Sequence, residues 1–191
     1  MKKINVKEVI IITVSLVVIC AISSVLLALT NNITKDKIAA LAVEKENATK
    51  SEVLADAEKF SDAKTVSLNG TDYTYYDGLS SSGEVVGYVF AVAGKGYGGN
   101  LRIMVGIGSD GKVKGVSPLE LNETAGLGMK AQNEDFLNQY NGKSAGIGVA
   151  KNSPASNEIQ ALTGATITSK AVTNAVNTAF ELMNTVKGGW Y

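Results

Sequence analysis

The longest hydrophobic run of this 191-residue chain lies near its N-terminus. From Val9 to Leu29 the only polar side chains are those of Thr and Ser, and the next charged residue is Lys35. A helix needs about 20 apolar residues to cross a bilayer. We therefore predict residues 1–8 as a cytoplasmic N-terminus and residues 9–31 as a transmembrane helix. A cleaved signal peptide is the alternative, because three lysines precede the run, but a signal h-region is usually only about 7–15 residues long.

A helical pattern continues after the apolar run. Residues 33–60 are rich in Ala, Lys and Glu, contain neither Gly nor Pro, and carry apolar side chains at helical spacings. This pattern predicts a helical stalk over residues 32–60. Its charged side chains are interpreted as a solvated face.

Beyond residue 60 the pattern changes to the period of two that is typical of strands. Two hairpins are predicted, each with a Gly-containing turn. The first joins residues 65–68 to 73–76 through Asn69-Gly70, a pair typical of a type I′ turn, and the second joins residues 101–108 to 113–118 through Asp110-Gly111. Residues 84–93 form a further predicted strand.

Two helices complete the predicted fold. Residues 133–140 are a short candidate, and residues 168–186 are a longer one with apolar side chains three and four positions apart. These apolar positions are Ala171, Val172, Ala175, Val176, Ala179, Phe180 and Met183. Strands first and helices at the edges indicate the α+β class. We expect a mixed sheet with flanking helices in a domain over residues 61–191.

The composition restricts the chemistry of this domain. The 18 basic and 18 acidic side chains cancel, which argues against a nucleic-acid partner. The chain has no His, the commonest general base and metal ligand, and its single Cys20 lies in the apolar run. We therefore assign no catalytic residue and no metal site. Any redox chemistry must come from a bound cofactor.

Two loops have compositions that suit a flat ligand. Residues 94–100 are Gly-rich and lie between predicted strands, so they are either a mobile hairpin connection or a place where backbone approaches a ligand closely. Residues 120–130 leave a predicted strand and place Glu123 and Thr124 beside apolar Leu127. Apolar faces with a few polar groups suit a planar ring, although an ordinary exposed turn remains the alternative.

The third segment of interest is Thr163-Gly164-Ala165-Thr166, which continues through Thr168 to Lys170. It precedes a helical pattern, and a helix start offers unpaired N–H groups and the positive end of the dipole to an anion. A Thr hydroxyl there can hydrogen-bond a phosphate or carry one covalently. The alternative is an ordinary N-cap, a position that Thr and Ser favour.

Taken together, residues 122–128 (NETAGLG) and 163–169 (TGATITS) resemble the two signatures of the covalent FMN-binding domain. That family includes the G subunit of Rnf complexes and the C subunit of the sodium-pumping NADH:quinone reductase. Residues 92–107 look more like the Rnf subunits. The chain departs from the family pattern at Ala125, where Pro is usual, and at Gln160, where Asp is common.

The resemblance implies that FMN is bound through a phosphoester to Thr166, which a flavin transferase attaches during maturation. It also implies that the other cofactor-binding residues lie in the two signatures: Glu123, Thr124, Gly126, Leu127, Gly128, Thr163, Gly164, Ala165, Thr168 and Lys170. Lys170 is expected to contact the phosphate.

The family's function follows as an expectation. The resemblance implies a non-catalytic electron-transfer subunit of a membrane complex that moves electrons between ferredoxin and NAD and translocates Na⁺ or H⁺. Its partners would be the other Rnf membrane subunits. Lysines flank both ends of the apolar run, so the extracytoplasmic placement of residues 61–191 rests on the resemblance. The alternatives are a stand-alone extracytoplasmic flavoprotein and a flavin-free anchored binding or structural domain.

Overall fold

The structure is a computed structural model that describes residues 6–188. The chain divides into two compact units, with the boundary between Glu44 and Lys45. The first helix, α1 (Val6–Val53), runs through this boundary. Residues 1–5 of the predicted cytoplasmic N-terminus and the last three residues of the predicted domain lie outside the described residues.

The N-terminal unit consists of the apolar part of α1. By length and composition this helix is a candidate membrane span, and none of its most apolar window is buried within the protein. Several of its hydroxyls donate to backbone carbonyls one turn earlier, such as Thr13 to Val9 at 2.9 Å and Ser24 to Cys20 at 2.8 Å. Such bonds satisfy the polar side chains without water, as a lipid environment requires.

The predicted helix over residues 33–60 is wrong at its C-terminal end. Helix α1 stops at Val53, and the segment that follows leads into a short strand, β1 (Lys59–Phe60). Val53 and Leu54 are buried in an apolar cluster against the sheet. Residues 45–60 are therefore part of the folded C-terminal unit, and the predicted boundary between stalk and domain after residue 60 lies too late.

The C-terminal unit is built on a six-stranded sheet with the order β1-β3-β4-β5-β6, in which β2 also pairs with β3. The remaining strands are β2 (Lys64–Leu68), β3 (Thr71–Leu79), β4 (Val85–Lys95), β5 (Asn100–Gly108) and β6 (Val113–Leu121). All pairings in this sheet are antiparallel. Both predicted hairpins are confirmed. Asn69 and Gly70 have φ values of 52° and 77°, as a type I′ turn requires.

Smaller elements follow the sheet. The single predicted helix over residues 133–140 is instead a series of short turns. These are a 3₁₀ turn (Gly128–Gln132), a one-turn helix α2 (Glu134–Leu137) and a second 3₁₀ turn (Asn138–Tyr140). Strands β7 (Gly148–Ala150) and β8 (Glu158–Gln160) pair in parallel as a separate ribbon. The last helix, α3 (Thr166–Val186), begins two residues before the predicted start at residue 168. The α+β class is confirmed. The expected mixed sheet is wrong, because the main sheet is antiparallel throughout and the parallel pair β7–β8 is separate from it.

The two faces of the main sheet are covered by different helices. In β4, Phe90 and Val92 face the larger core, which includes the apolar positions of α3. Their neighbours Val89 and Ala91 face the opposite side, where the end of α1 packs. Alternation with a period of two therefore buries both faces of this strand.

Glycines let the end of α1 approach the sheet closely. A Cβ at Gly106 would lie 2.1 Å from the Val53 carbonyl oxygen, and one at Gly115 would lie 2.7 Å from the Val53 Cα. Both neighbours are backbone atoms that cannot rotate away. The close packing of α1 on β5 and β6 therefore depends on the missing side chains.

Candidate functional site

One cavity of about 430 Å³ lies where the β4–β5 turn, the loop after β6 and the start of α3 meet. This volume is within the usual range of small-molecule sites. The cavity is lined by Tyr97, Glu123, Thr124, Leu127, Gly128, Gly164, Ala165, Thr166, Ile167 and Thr168. The two segments predicted to form one site, about forty residues apart in sequence, are thus adjacent in the fold.

Eight of the eleven predicted site residues line this cavity, and Gly126, Thr163 and Lys170 do not. Gly126 instead shapes its loop, with a φ of 76° that favours glycine. Lys170 is exposed at the fifth position of α3. Thr163 lines a second cavity of about 280 Å³ on another side of the same turn.

Glu123 holds two parts of the site together. Its carboxylate accepts hydrogen bonds from the backbone N–H groups of Tyr97, at 2.8 Å, and Gly98, at 3.1 Å. A Cβ at Gly96 would lie 1.9 Å from its Oε1, and one at Gly128 would lie 2.6 Å from its Oε2. The Gly-rich turn is therefore held against the loop after β6 by Glu123, which the sequence had suggested as a ligand contact.

The segment before α3 is a tight turn. The Ala165 N–H donates to the Leu162 carbonyl at 3.0 Å, and Gly164 has a φ of 77°, as the third position of a type II turn requires. The N-cap of α3 is Ala165, which makes no side-chain hydrogen bond to the helix. The alternative that this segment is an ordinary Thr or Ser N-cap is therefore wrong, because the cap residue is Ala165 and Thr166 is the first residue of the helix.

Buried hydroxyls fix this turn from behind. Ser169 Oγ accepts the Leu162 N–H at 2.9 Å and donates to the Ala165 carbonyl at 3.0 Å. Thr173 donates to the Ser169 carbonyl and shares a hydrogen bond with the Tyr140 hydroxyl at 2.8 Å. Burial raises the pKa of the Tyr140 phenol, so this group stays protonated at neutral pH.

Three threonine hydroxyls in the cavity have no protein partner. Thr124, Thr166 and Thr168 all line it, and none of their hydroxyls bonds another residue within the range 6–188. Thr168 is 1% exposed, so its hydroxyl can reach a ligand only inside the cavity. Thr124 is exposed and Thr166 is half-buried. Over the described residues, no fully buried side-chain polar atom lacks a hydrogen-bond partner. Three unpartnered hydroxyls that open into one cavity suit a ligand with several polar atoms.

Two cavity residues, Tyr97 and Ile167, were missed as site residues. They are 73% and 54% exposed, and Leu127, which was predicted, is 45% exposed. Exposed apolar groups at a cavity mouth are typical of ligand sites. Tyr97 could have been suggested as a site residue because it is the one aromatic residue of the Gly-rich turn. The sequence does not show that this turn contacts the loop after β6, because Glu123, which joins the two, is 26 residues away from Tyr97.

Over the described part of the chain, no cluster of His, Cys, Asp and Glu is arranged to hold a metal ion. The cavity instead fits a flavin mononucleotide. Its apolar mouth suits a planar ring, its free hydroxyls suit the polar edge and the ribityl chain, and Thr166 at an uncapped helix start suits a phosphate.

Comparison with known proteins agrees with this class of ligand site. Residues 96–181 match the family model of the FMN-binding domain, and this range contains every residue that lines the larger cavity. The fold and the site thus define an FMN-binding domain joined to an N-terminal candidate membrane helix.

Relatives of nearly full length identify the family. The chain is 37% identical over 93% of its length to the G subunit of the proton-translocating ferredoxin:NAD(+) oxidoreductase complex of Clostridium ljungdahlii, and it covers 93% of that protein. It is 38% identical to the Na(+)-translocating counterpart of Acetobacterium woodii, with 87% of each chain covered. The chain belongs to this family of G subunits of ion-translocating ferredoxin:NAD oxidoreductase (Rnf) complexes.

A solved structure supports the fold. The crystal structure of the C subunit of the Na(+)-translocating NADH-quinone reductase from Parabacteroides distasonis superposes with a TM-score of 0.54 at 20% identity, covering 73% of this chain and 79% of that one. At this identity the likeness concerns the fold alone.

Proposed function

We propose that this chain is the membrane-anchored electron-transfer subunit of an Rnf complex and carries one FMN on Thr166. The observation that carries the proposal is the cavity with three unpartnered threonine hydroxyls, one of them at the uncapped start of α3. The proposed assembly into an Rnf complex rests on the membership of this chain in the family of Rnf G subunits. A flavin accepts and donates one or two electrons, and the protein contributes its position and its potential.

The residues of the cavity have separate tasks in this proposal. Tyr97, Leu127 and Ile167 cover the apolar faces of the ring, and the ring in turn covers these exposed side chains. Thr124 and Thr168 donate to polar atoms of the flavin. Glu123 acts indirectly, because its carboxylate is already occupied by the two N–H groups of the Gly-rich turn.

We further propose that the FMN is attached covalently to Thr166. The bond joins Thr166 Oγ1 to the flavin phosphorus, the hydroxyl proton is released, and the phosphorus loses the leaving group of an activated flavin donor. A flavin transferase would supply that donor during maturation. The resulting diester has a single negative charge, which the N–H groups at the start of α3 stabilise. A covalent bond also prevents loss of the flavin by dilution outside the membrane.

The domain would lie on the extracytoplasmic side, anchored in the cell membrane by residues 9–31, with Rnf membrane subunits as its partners. A tag after Tyr191 should then be digested by protease in intact protoplasts. A tag that is protected until the cells are lysed would contradict this orientation.

Two alternatives make different predictions. A stand-alone flavoprotein would be fluorescent in a denaturing gel yet purify without other membrane subunits, whereas a flavin-free binding domain would not be fluorescent at all. The test is mild-detergent purification of the full chain from its native membrane, followed by in-gel flavin fluorescence. We expect a fluorescent band together with several membrane subunits.

The hydroxyl of Thr124 gives a redox prediction. Thr124→Val keeps the volume and removes the donor, so we expect an altered flavin midpoint potential or semiquinone yield with unchanged covalent loading. The matched control is Thr71→Val, at the start of β3, where Thr71 lies outside both cavities. Redox titration gives the answer, and identical titration curves for Thr124→Val and the wild-type chain would contradict this role.

A further inference from the structure

Thr166 lies between two cavities that differ in charge. It lines both the 430 Å³ cavity and the 280 Å³ cavity, as does Gly164. Among the described residues, the one charged side chain lining the first cavity is Glu123, and the one lining the second is Lys151. A phosphate joined to Thr166 therefore has an anion on one side and a cation on the other.

We propose that the phosphodiester on Thr166 extends into the smaller cavity and that Lys151, instead of Lys170, is its counter-ion. This inference rests on the proposed attachment of FMN at Thr166. Coulomb attraction favours the side of Lys151, and repulsion from Glu123 disfavours the other side. The ring then occupies the larger cavity, and the phosphate and the ring lie on different sides of the turn before α3.

The surroundings of Lys151 support this role. Its ammonium makes no ion pair with another described residue, so it is available to an anion. Asn152 lines the same cavity and offers an amide donor. Lys151 and Lys170 are both exposed, but Lys170 lines neither cavity, although it is close to Thr166 in sequence.

The loop that carries Lys151 is tied to the fold on both sides. The Ala161 N–H donates to the Ala150 carbonyl at 2.8 Å, directly before Lys151. At the other end, the Ala155 N–H donates to Glu158 at 2.8 Å and the Lys143 ammonium donates to the Ser156 carbonyl at 2.7 Å. The position of the loop relative to the turn before α3 is therefore set before any phosphate arrives.

Acetylation of lysines tests the contact directly. The full chain in detergent is compared in two forms, made with and without the flavin transferase, after brief treatment with an amine-acetylating reagent and peptide mass spectrometry. An ion pair with the phosphate should lower the labelling rate of Lys151 about threefold in the flavinylated form. Lys170 should label equally in both forms, and so should Lys59, an exposed lysine of β1.

Variants give a second readout. Lys151→Gln should lower the initial rate of flavinylation about threefold and Lys151→Arg should restore it, while Lys59→Gln leaves it unchanged.

The outcomes separate this inference from the proposed function. Equal labelling of Lys151 in both forms, or protection of Lys170 alone, would overturn the inference while the flavin on Thr166 stands. A flavinylation rate unchanged in Lys151→Gln but lowered in Lys170→Gln would do the same. A wild-type chain without covalent flavin, measured first in the same sample, would overturn both.

Discussion

At the scale of single residues, the site depends on groups that never touch the cavity. Ser169 is fully buried, and its hydroxyl ties the Leu162 N–H to the Ala165 carbonyl across the turn that presents Thr166. Removing that hydroxyl leaves the Leu162 N–H without its acceptor. A part-buried donor left unsatisfied costs about 1–3 kcal/mol.

We therefore expect Ser169→Ala to lower the free energy of unfolding by about 1–3 kcal/mol and to slow flavin attachment, because the turn loses its support. Urea denaturation and flavin content measure the two effects. The control is Thr185→Ala, which removes a hydrogen bond to the Glu181 carbonyl at the exposed end of the same helix. Equal losses in both variants would contradict a positioning role for Ser169.

At the scale of secondary-structure elements, the packing of α1 against β5 is the most demanding contact. The Cβ of Gly106→Ala would meet the Val53 carbonyl oxygen at 2.1 Å, so helix or strand must move. Overpacking of this kind typically costs about 1–3 kcal/mol. In Gly148→Ala, by contrast, the nearest atoms to the new Cβ belong to the Glu158 side chain, with Cγ at 2.9 Å, and a side chain shifts at lower cost than backbone.

We expect Gly106→Ala to lower the melting temperature of the C-terminal unit by several degrees, with a much smaller change for Gly148→Ala. Thermal unfolding followed by circular dichroism compares the two. A smaller loss in Gly106→Ala than in Gly148→Ala would mean that the end of α1 does not pack on this face.

The elements also show what local pattern can predict. The hairpins and α3 follow from alternation, turn residues and the spacing of apolar positions, which are local properties. The end of α1 at Val53 does not, because Val53 and Leu54 have helical spacing whether the helix continues or stops. The helix ends here because Val53 and Leu54 are buried against the sheet, and such tertiary contacts override the helix propensity of the residues that follow.

Some residues of the site can likewise be predicted from local sequence, and others only from the fold. Thr166 and Glu123 belong to short motifs, so the sequence could single them out. Tyr97 and Lys151 reach the site only through the fold, since Tyr97 is held by the distant Glu123 and Lys151 by the β7–β8 ribbon. Lys170 is predicted from the sequence because it is close to Thr166 along the chain, whereas the proposed role of Lys151 depends on the cavity that it lines.

At the scale of the whole molecule, the end of helix α1 belongs to the folded C-terminal unit. Besides the burial of Val53 and Leu54, Lys45 donates to the Leu119 carbonyl at 2.6 Å and Glu46 pairs with Arg102 at 3.6 Å. Burying one such apolar side chain stabilises by about 1.5–3 kcal/mol. Loss of this segment would remove a large share of a typical stability of about 5–15 kcal/mol.

We therefore expect a fragment from residue 45 onward to unfold cooperatively and to accept flavin. A fragment from residue 61 onward, which starts at the domain boundary read from the sequence, should aggregate or lack a cooperative transition. Size-exclusion chromatography and thermal unfolding compare the two fragments. Equal stability of both would mean that residues 45–60 are dispensable for the fold.

Thr166 is the proposed attachment site of the flavin. Cleavage after Lys151 and Lys170 releases residues 152–170 as one tryptic peptide, which contains Thr163, Thr166 and Thr168 as competing hydroxyls. Tandem mass spectrometry of this peptide from the native membrane should find the mass of FMN less one water on Thr166 alone. The Thr166→Ala chain should yield only the unmodified peptide, whereas Thr168→Ala should remain flavinylated. A flavin on Thr163 or Thr168 of the wild-type peptide, or an entirely unmodified peptide, would contradict attachment at Thr166.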